Sequence, residues 1–442
     1  MCPGDPESMT EGKKQRRSTW IYSVFPVSMA TGPVGTMVQL YLIYLNGQAL
    51  GTIYGSLASA IYNGVSIPAA LFWGVATDRL HKRRALVALS YALVAIALVS
   101  YFFDRTTYGT ISRYGAISFV SVASATPLNL LIMETEQKGK WAHAFASLSL
   151  VGSAGNVAGL VISTLWTQFF PSELVLLFVP MGAFALSSSG LALALIHEPE
   201  FVLERETVAL RKPSLFSRLR ANPVFFVGIP SGSDFRRAFR GLRSSLTSYV
   251  PLFYISTILF YISAGLFNTS FVPAMHFFSM PDQEVFAVIL AGMVIQTLAF
   301  QRAGDYVNKR SLITSSVQGL LLRGWSYFAI GVAAYLVSGP LFAVSALLLY
   351  PLAGGVAYAV YYTSSNTMMF NTVKGKSAGS TLGVYSAVVG LATMAGSFAS
   401  GFISVYVGYY TTFMLAGIVL FVTLGVVSRL PKPLVPGEGV HQ

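Results

Sequence analysis

Gly74-Val-Ala-Thr-Asp78-Arg79-Leu-His81-Lys82-Arg83-Arg84 closes one long apolar stretch and leads into another, and its charges decide how the chain is read. Upstream lie apolar runs at 21–45 and 52–76, and downstream come 85–103, 112–133, 142–168 and 174–196. After a polar stretch, six more runs follow at 249–279, 284–303, 312–337, 340–370, 377–406 and 409–428. A helix needs about 20 apolar residues to cross the hydrocarbon core. Of the 442 residues, 54% are apolar and only 10% are charged, against about 25% charged in soluble domains. The chain is therefore expected to be all-α and polytopic, with twelve transmembrane helices.

The bases orient it. All but three of the 29 lysines and arginines fall in the tails, the central stretch or every second loop, the exceptions being Arg105, Arg113 and Arg323. Cytoplasmic loops carry the Lys/Arg excess, so both termini are expected in the cytoplasm of a plasma-membrane protein. The net charge of +12 is thus a topology signal, and no nucleic-acid partner is expected. Lys13, Lys14, Arg16 and Arg17 precede an apolar run too long for a cleaved signal peptide, and no small-residue cleavage site follows it. The single cysteine, Cys2, excludes disulfides and thiolate metal sites within one chain.

The two halves echo each other. Asp78-x-x-x-Lys82-Arg83 follows the second run and Asp305-x-x-x-Lys309-Arg310 the eighth, while Lys138-Gly139-Lys140 opens the fifth and Lys374-Gly375-Lys376 the eleventh. Both of those runs carry helix-spaced glycines, Gly152, Gly155 and Gly159 in one and Gly379, Gly383 and Gly390 in the other. Small residues at that spacing let membrane helices approach closely. The expected organisation is a tail (1–20), a six-helix half (21–196), a cytoplasmic linker (197–248), a second six-helix half (249–428) and a tail (429–442). Repeated halves with the solute between them near mid-membrane are a transporter architecture.

The opening stretch resembles the loop 2–3 motif of the major facilitator superfamily, G-x-x-x-D-R-x-G-R/K-R/K. It departs at His81, where the family usually has glycine, and the second-half copy has Gln301 and Tyr306 in place of glycine and arginine. The resemblance implies alternating access, with Gly74, Asp78 and Arg79 as part of a cytoplasmic gate. Asp78 can accept hydrogen bonds from unpaired N–H groups at a neighbouring helix N-terminus. Arg79, Lys82 and Arg83, with Asp305, Lys309 and Arg310 in the second copy, can pair across the halves or simply fix topology.

The acids complete the reading. All 17 fall in the tails, the linker or at helix ends, whereas proton-coupled carriers usually hold the proton on an intramembrane carboxylate or histidine. The fifth run reads Gly155-Asn156-Val-Ala-Gly159 and lacks the G-P-x-x-G-G pattern of the family's drug–proton antiporters. A small organic solute moved without a mid-membrane proton relay is the expectation. A proton- or ion-driven exporter of lipophilic compounds and a non-transporting sensor are the rivals. With no HExxH and no His cluster, neither an enzyme nor a cofactor is expected.

Solute contacts are then neutral and polar: Asn156, Asn268, Tyr358, Tyr361 and Tyr362 near mid-span, with Gln39 and Asn63 less central. Amides and phenols supply hydrogen bonds and an aromatic surface; the alternative is plain helix–helix hydrogen bonding. Thr31-Gly32-Pro33 marks a break or kink in the first run. Arg323 lies deep in the ninth run, either as an anion-binding group or as a side chain that snorkels to the surface. In the linker, Phe235, Phe239 and Leu242 recur at i, i+4, i+7 among arginines, a basic amphipathic helix suited to the anionic inner leaflet. The chain is expected to be a monomer.

Overall fold

The computed structural model describes residues 19–80, 82–135, 141–171, 173–197, 249–372 and 378–431. The linker, the tails and the Lys-Gly-Lys loops lie outside these residues. The helices are α1 (Val24–Thr31), α2 (Val34–Leu80), α3 (Arg83–Val99), α4 (Thr107–Thr135), α5 (Trp141–Phe169) and α6 (Phe178–Leu195). The second half holds α7 (Tyr249–Phe277), α8 (Asp282–Asn308), α9 (Leu312–Leu336), α10 (Pro340–Tyr350), a π-helical stretch (Pro351–Ala357), α11 (Tyr358–Thr372), α12 (Ala378–Tyr406) and α13 (Tyr409–Val427). Among the described residues, ten helical stretches, all from Arg83 onward, are long and apolar enough to cross a membrane.

The first two apolar runs are joined differently from expectation. In place of a loop over 46–51, helix continues on both sides of a single non-helical residue, Gly47, at φ +76°. Two antiparallel limbs result, because Gln39 donates to Ser59 Oγ at 3.3 Å although twenty positions separate them. A straight helix would put those residues roughly 30 Å apart. The limbs nearly touch: a Cβ on Gly51 would stand 2.4 Å from Ile43 Cα. At Thr31-Gly32-Pro33 the helix is interrupted but not unwound, since Gly32 keeps helical angles (φ −55°, ψ −50°). Pro33 lacks the N–H that would complete the ladder.

Helix starts follow local chemistry. Asp282 and Glu284 sit in the first turn of α8, where acids favour the positive end of the dipole. Ser311 caps α9 by accepting from Thr314 N at 3.0 Å. Gly339 (φ +60°) and Gly408 (φ +117°) provide the turns before α10 and α13.

Two of the three α5 glycines act as the sequence suggests, while a Cβ on Gly152 would meet only Ser28 Oγ, at an ordinary 3.6 Å. Cβ atoms on Gly155 and Gly159 would lie 2.5 and 2.1 Å from the carbonyl oxygens of Phe25 and Met29 on α1. Gly390 abuts Ile67 on α2; the side-chain surroundings of Gly379 and Gly383 lie outside those described. Gly159→Leu must therefore push α1 from α5, a strain of about 3 kcal/mol or more. Fluorescence-detected size-exclusion should show at least a fivefold loss of monodisperse protein. Gly190→Leu, where nothing lies within 4 Å, should leave the yield intact.

Candidate functional site

Phenols converge within the second half. Tyr358, Tyr361 and Tyr362 lie on α11 at i, i+3 and i+4 and share a helix face. Tyr358 and Tyr362 have ring centroids 5.4 Å apart, and Phe300 of α8 meets them at 6.2 and 5.8 Å. Tyr361 stacks on Phe260 of α7 at 4.0 Å. Tyr261 of α7 and Tyr385 of α12 adjoin the same phenols. Tyr361 is buried, whereas Tyr362 is 38% exposed and offers its ring edge and hydroxyl.

Arg323 stands among these rings. It is only 3% exposed, so it does not snorkel. Its Cζ lies 5.0 Å from the Phe260 ring, 5.1 Å from Tyr327 and 5.0 Å from Tyr358. Nε and Nη2 both donate to Tyr327 Oη, at 2.9 and 2.6 Å, while Nη1 has no hydrogen-bond partner. A desolvated cation gains about 2 kcal/mol over an aromatic face, so three faces offset much of the cost of burial. Gly319, one turn earlier on α9, brings that helix against α11: its Cβ would stand 3.0 Å from Tyr361 N.

The other residues singled out in the sequence sit apart. Asn268 is exposed on α7, two helical turns beyond Tyr261 and so on the same face. Asn156 is half-buried on α5 where it crosses α1, its Cα 2.8 Å from where a Gly32 Cβ would be. Gln39 is buried between the limbs of α2, its Oε1 unpartnered. Asn63 is half-buried and donates to Ser59 O at 2.8 Å. Tyr261, Tyr385, Phe260 and Phe300 escaped the sequence reading. The seven-residue recurrence of Tyr254, Tyr261 and Asn268 was the available signal.

A second cluster lies at the end of the molecule remote from Lys82–Arg84, and it joins the two halves. Tyr44 donates to Asp282 Oδ2 at 2.7 Å. Gln48 Nε2 donates to Pro273 O and to Tyr409 Oη, each at 2.8 Å, and Gln48 Oε1 pairs with His276 Nδ1 at 2.8 Å. Thr52 Oγ1 and Tyr409 Oη meet at 2.7 Å, and the Tyr44 and His276 rings pack edge-on at 5.6 Å. Five hydrogen bonds thus latch the first-half hairpin around Gly47 to α7, α8 and α13. Asp282 is the buried carboxylate among the described side chains. Nearby, Asp104 pairs with Arg113, and hydrogen bonds from Thr106, reinforced by Arg113, hold its carboxyl below the usual range.

At the opposite end, Arg83 is fully buried and donates to Thr77 O at 2.7 Å within its own half. Arg310 bonds to Tyr306 Oη and, at 2.7 Å, to Gln318 Oε1, so it braces α8 against α9 within the second half. Gly74 is buried, while Lys82, Asp305 and Lys309 are exposed. The side chains of Asp78 and Arg79 lie outside those described.

The chain is all-helical over its described residues and shares its fold with solved transporters of the major facilitator type. It is similar to the nucleoside transporter NupG (TM-score 0.67, 15% identity, 95% of this chain and 100% of that one). It is also similar to a peptide transporter POT in complex with sulfate (TM-score 0.71, 13% identity, 94% and 95%). A third likeness is to a bacterial homolog of the human lysosomal transporter Spinster, in an inward-facing and unoccupied conformation (TM-score 0.61, 13% identity, 93% and 98%). No family model and no curated sequence matches the chain. These neighbours are transporters.

Proposed function

We propose that the chain is a secondary transporter with twelve spans in two six-helix pseudo-repeats, moving a small organic solute by alternating access. The observation that carries this is the latch: five hydrogen bonds link residues from opposite halves at one end. Groups that meet only when one end is closed are what alternating access requires. In this reading the latch is the outer gate, and Asp78, Arg79 and Lys82 belong to the inner one. The termini are cytoplasmic, the protein is a plasma-membrane monomer, and the basic linker rests on the anionic leaflet.

The solute meets the phenols of Tyr358, Tyr361 and Tyr362, with Asn268, Asn156 and Gln39 as further polar contacts and Arg323 behind the rings. A phenol cluster backed by a cation favours a flat or electron-rich solute with hydrogen-bonding groups. Nucleosides and peptides, the solutes by which two of the neighbours are named, are of that kind.

Flux into proteoliposomes tests the reading. Screening nucleosides, short peptides and sugars should find a solute whose uptake saturates and proceeds without a pH gradient. Tyr362→Ala should lower its uptake about 3- to 10-fold, the equivalent of one aromatic contact of roughly 0.5–1.5 kcal/mol. Buried Asp282 favours the rival, proton-driven reading; uptake that needs a pH gradient and disappears in Asp282→Asn would establish it. Binding without flux of any solute would make the protein a sensor.

A further inference from the structure

A groove of about 480 Å³ runs along the second half between α8 and α9, with the π-helical stretch and α11 as its floor. Along α8 it follows Ile295, Ala299, Arg302 and Tyr306, spaced i, i+4, i+7 and i+11 and so on one stripe. Those eleven steps span about 16 Å at 1.5 Å per residue. That is close to one leaflet's half of a hydrocarbon core about 30 Å thick. Leu322 on α9, with Val356 and Val360 on the floor, adds to the apolar length. One end is polar, built from Arg302 and Tyr306 of α8 and Gln318 of α9.

The groove turns away from the phenol cluster. Phe300, which meets Tyr358 and Tyr362, lies two residues from both Leu298 and Arg302, and two residues are about 200° on a helix. Val360 is likewise two residues from Tyr358 and from Tyr362. Leu298 in the groove wall is 53% exposed, and Arg302 and Gln318 are exposed as well. In a membrane, this face meets lipid.

The polar end carries charge to spare. Tyr306 Oη donates to Gln318 Oε1 at 2.7 Å, and Arg310 donates to both oxygens with its Cζ 4.3 Å from the Tyr306 ring centroid. Arg310 thus folds back over Tyr306, one helical turn from Arg302. Arg302 makes no ion pair or hydrogen bond among the described residues. At this end of α8 three bases, Arg302, Lys309 and Arg310, stand with one acid, Asp305. A guanidinium at the rim of the hydrocarbon is costly without an anion, and basic clefts between membrane helices on the cytoplasmic side lodge anionic headgroups. A soluble anion would leave the apolar length empty, and a neutral lipid would leave the charge unanswered.

We propose that this groove holds one acyl chain of an anionic glycerophospholipid of the inner leaflet, with the headgroup phosphate on Arg302 and Arg310. The chain lies on Ile295, Ala299, Leu322 and Val360, and the lipid buttresses α8 and α11 from behind the phenols. The leaflet rests on the orientation proposed above; the binding does not.

Native mass spectrometry of the full chain tests this, with phosphatidylglycerol and phosphatidylcholine of identical acyl chains added at equal, low concentration. Phosphatidylglycerol should be retained about fivefold more, the usual effect of one basic side chain at an anionic surface. Arg302→Gln should abolish most of that preference, and Arg302→Lys should keep it within twofold. Arg429→Gln, which removes an exposed base beyond α13, should leave it unchanged. Ala299→Trp fills the apolar length and should cut phosphatidylglycerol retention at least fivefold in monodisperse protein. Equal retention of the two lipids, a full preference in Arg302→Gln, or an equal loss in Arg429→Gln would overturn the site and leave only the diffuse attraction of a basic surface. Displacement of the lipid by millimolar glycerol 3-phosphate would overturn it in favour of a soluble phosphate ester. Absence of solute flux from every liposome would defeat the transporter reading and leave this result standing; flux with equal retention of both lipids would do the reverse.

Discussion

Replacing Arg323 by methionine, together with Tyr327→Phe, lowers transport by roughly 30- to 150-fold while the protein melts at or above the parent temperature. The two halves of this result have separate causes. Burying an ion costs several kcal/mol after relaxation, and exchanging it for an apolar group of similar volume is often neutral or stabilising. Arg323 has no carboxylate partner among the described residues; Tyr327 Oη and three rings hold it. Removing both the guanidinium and the Tyr327 hydroxyl leaves no new orphan, so stability should hold. Transport should not hold, because Phe260 and Tyr358 lose the cation that fixes their ring planes, and the phenols lose the positive potential behind them. About 2–3 kcal/mol of lost positioning converts to the stated factor. Arg323→Lys should recover little, since an ammonium lacks the planar fork that stacks on rings. Transport per folded molecule within threefold of the parent, in both variants, would reduce Arg323 to scaffolding.

Gln48→Ala is expected to shift the latch by about two orders of magnitude toward its open form. Gln48 makes three of the five bonds that span the halves, to Pro273 O, Tyr409 Oη and His276 Nδ1. At about 1 kcal/mol net for each, their loss amounts to about 3 kcal/mol, or roughly 150-fold in the equilibrium. The only native cysteine is Cys2, so Cys2→Ser gives a clean background. Ser56, one turn beyond Thr52 and 1% exposed, is the reporter position. In nanodiscs, Ser56→Cys should react with a hydrophilic maleimide at least tenfold faster when Gln48→Ala is present. Equal rates would mean that the five bonds do not hold that end shut.

The position of each helix was legible in the sequence and the facing of its residues was not. Hydropathy marks apolar runs, and these fall on helices with shifts of a few residues. Where a residue faces depends on which helices meet. Tyr358, Tyr361 and Tyr362 could be grouped because their spacing alone puts them on one face. Arg323 was conspicuous by charge, but its ring cage needs α7 and α11 folded against α9, which no local pattern announces. Asn156 has equal polarity and depth, yet it sits where α5 crosses α1. The latch was hidden most completely. Tyr44 and Asp282 are 238 positions apart, and each looks like an ordinary helix-end residue. The glycines were the better guide, because a missing Cβ marks close backbone approach whatever the partner.

Between Pro351 and Ala357 the chain winds as a π-helix before returning to α-helix at Tyr358. A π turn takes in one residue more per hydrogen-bonded ring than an α turn. Everything after Ala357 is therefore out of step with everything before Pro351. Phe342 and Ala346 are buried on the earlier segment, while the later one turns its tyrosines toward Phe300 and Arg323. Which side chains meet a solute is thus set by a surplus residue upstream of them. Insertion or loss of a single codon in Pro-Leu-Ala-Gly-Gly-Val-Ala can present a new set of side chains to the interior, with every residue of the old set still in the sequence.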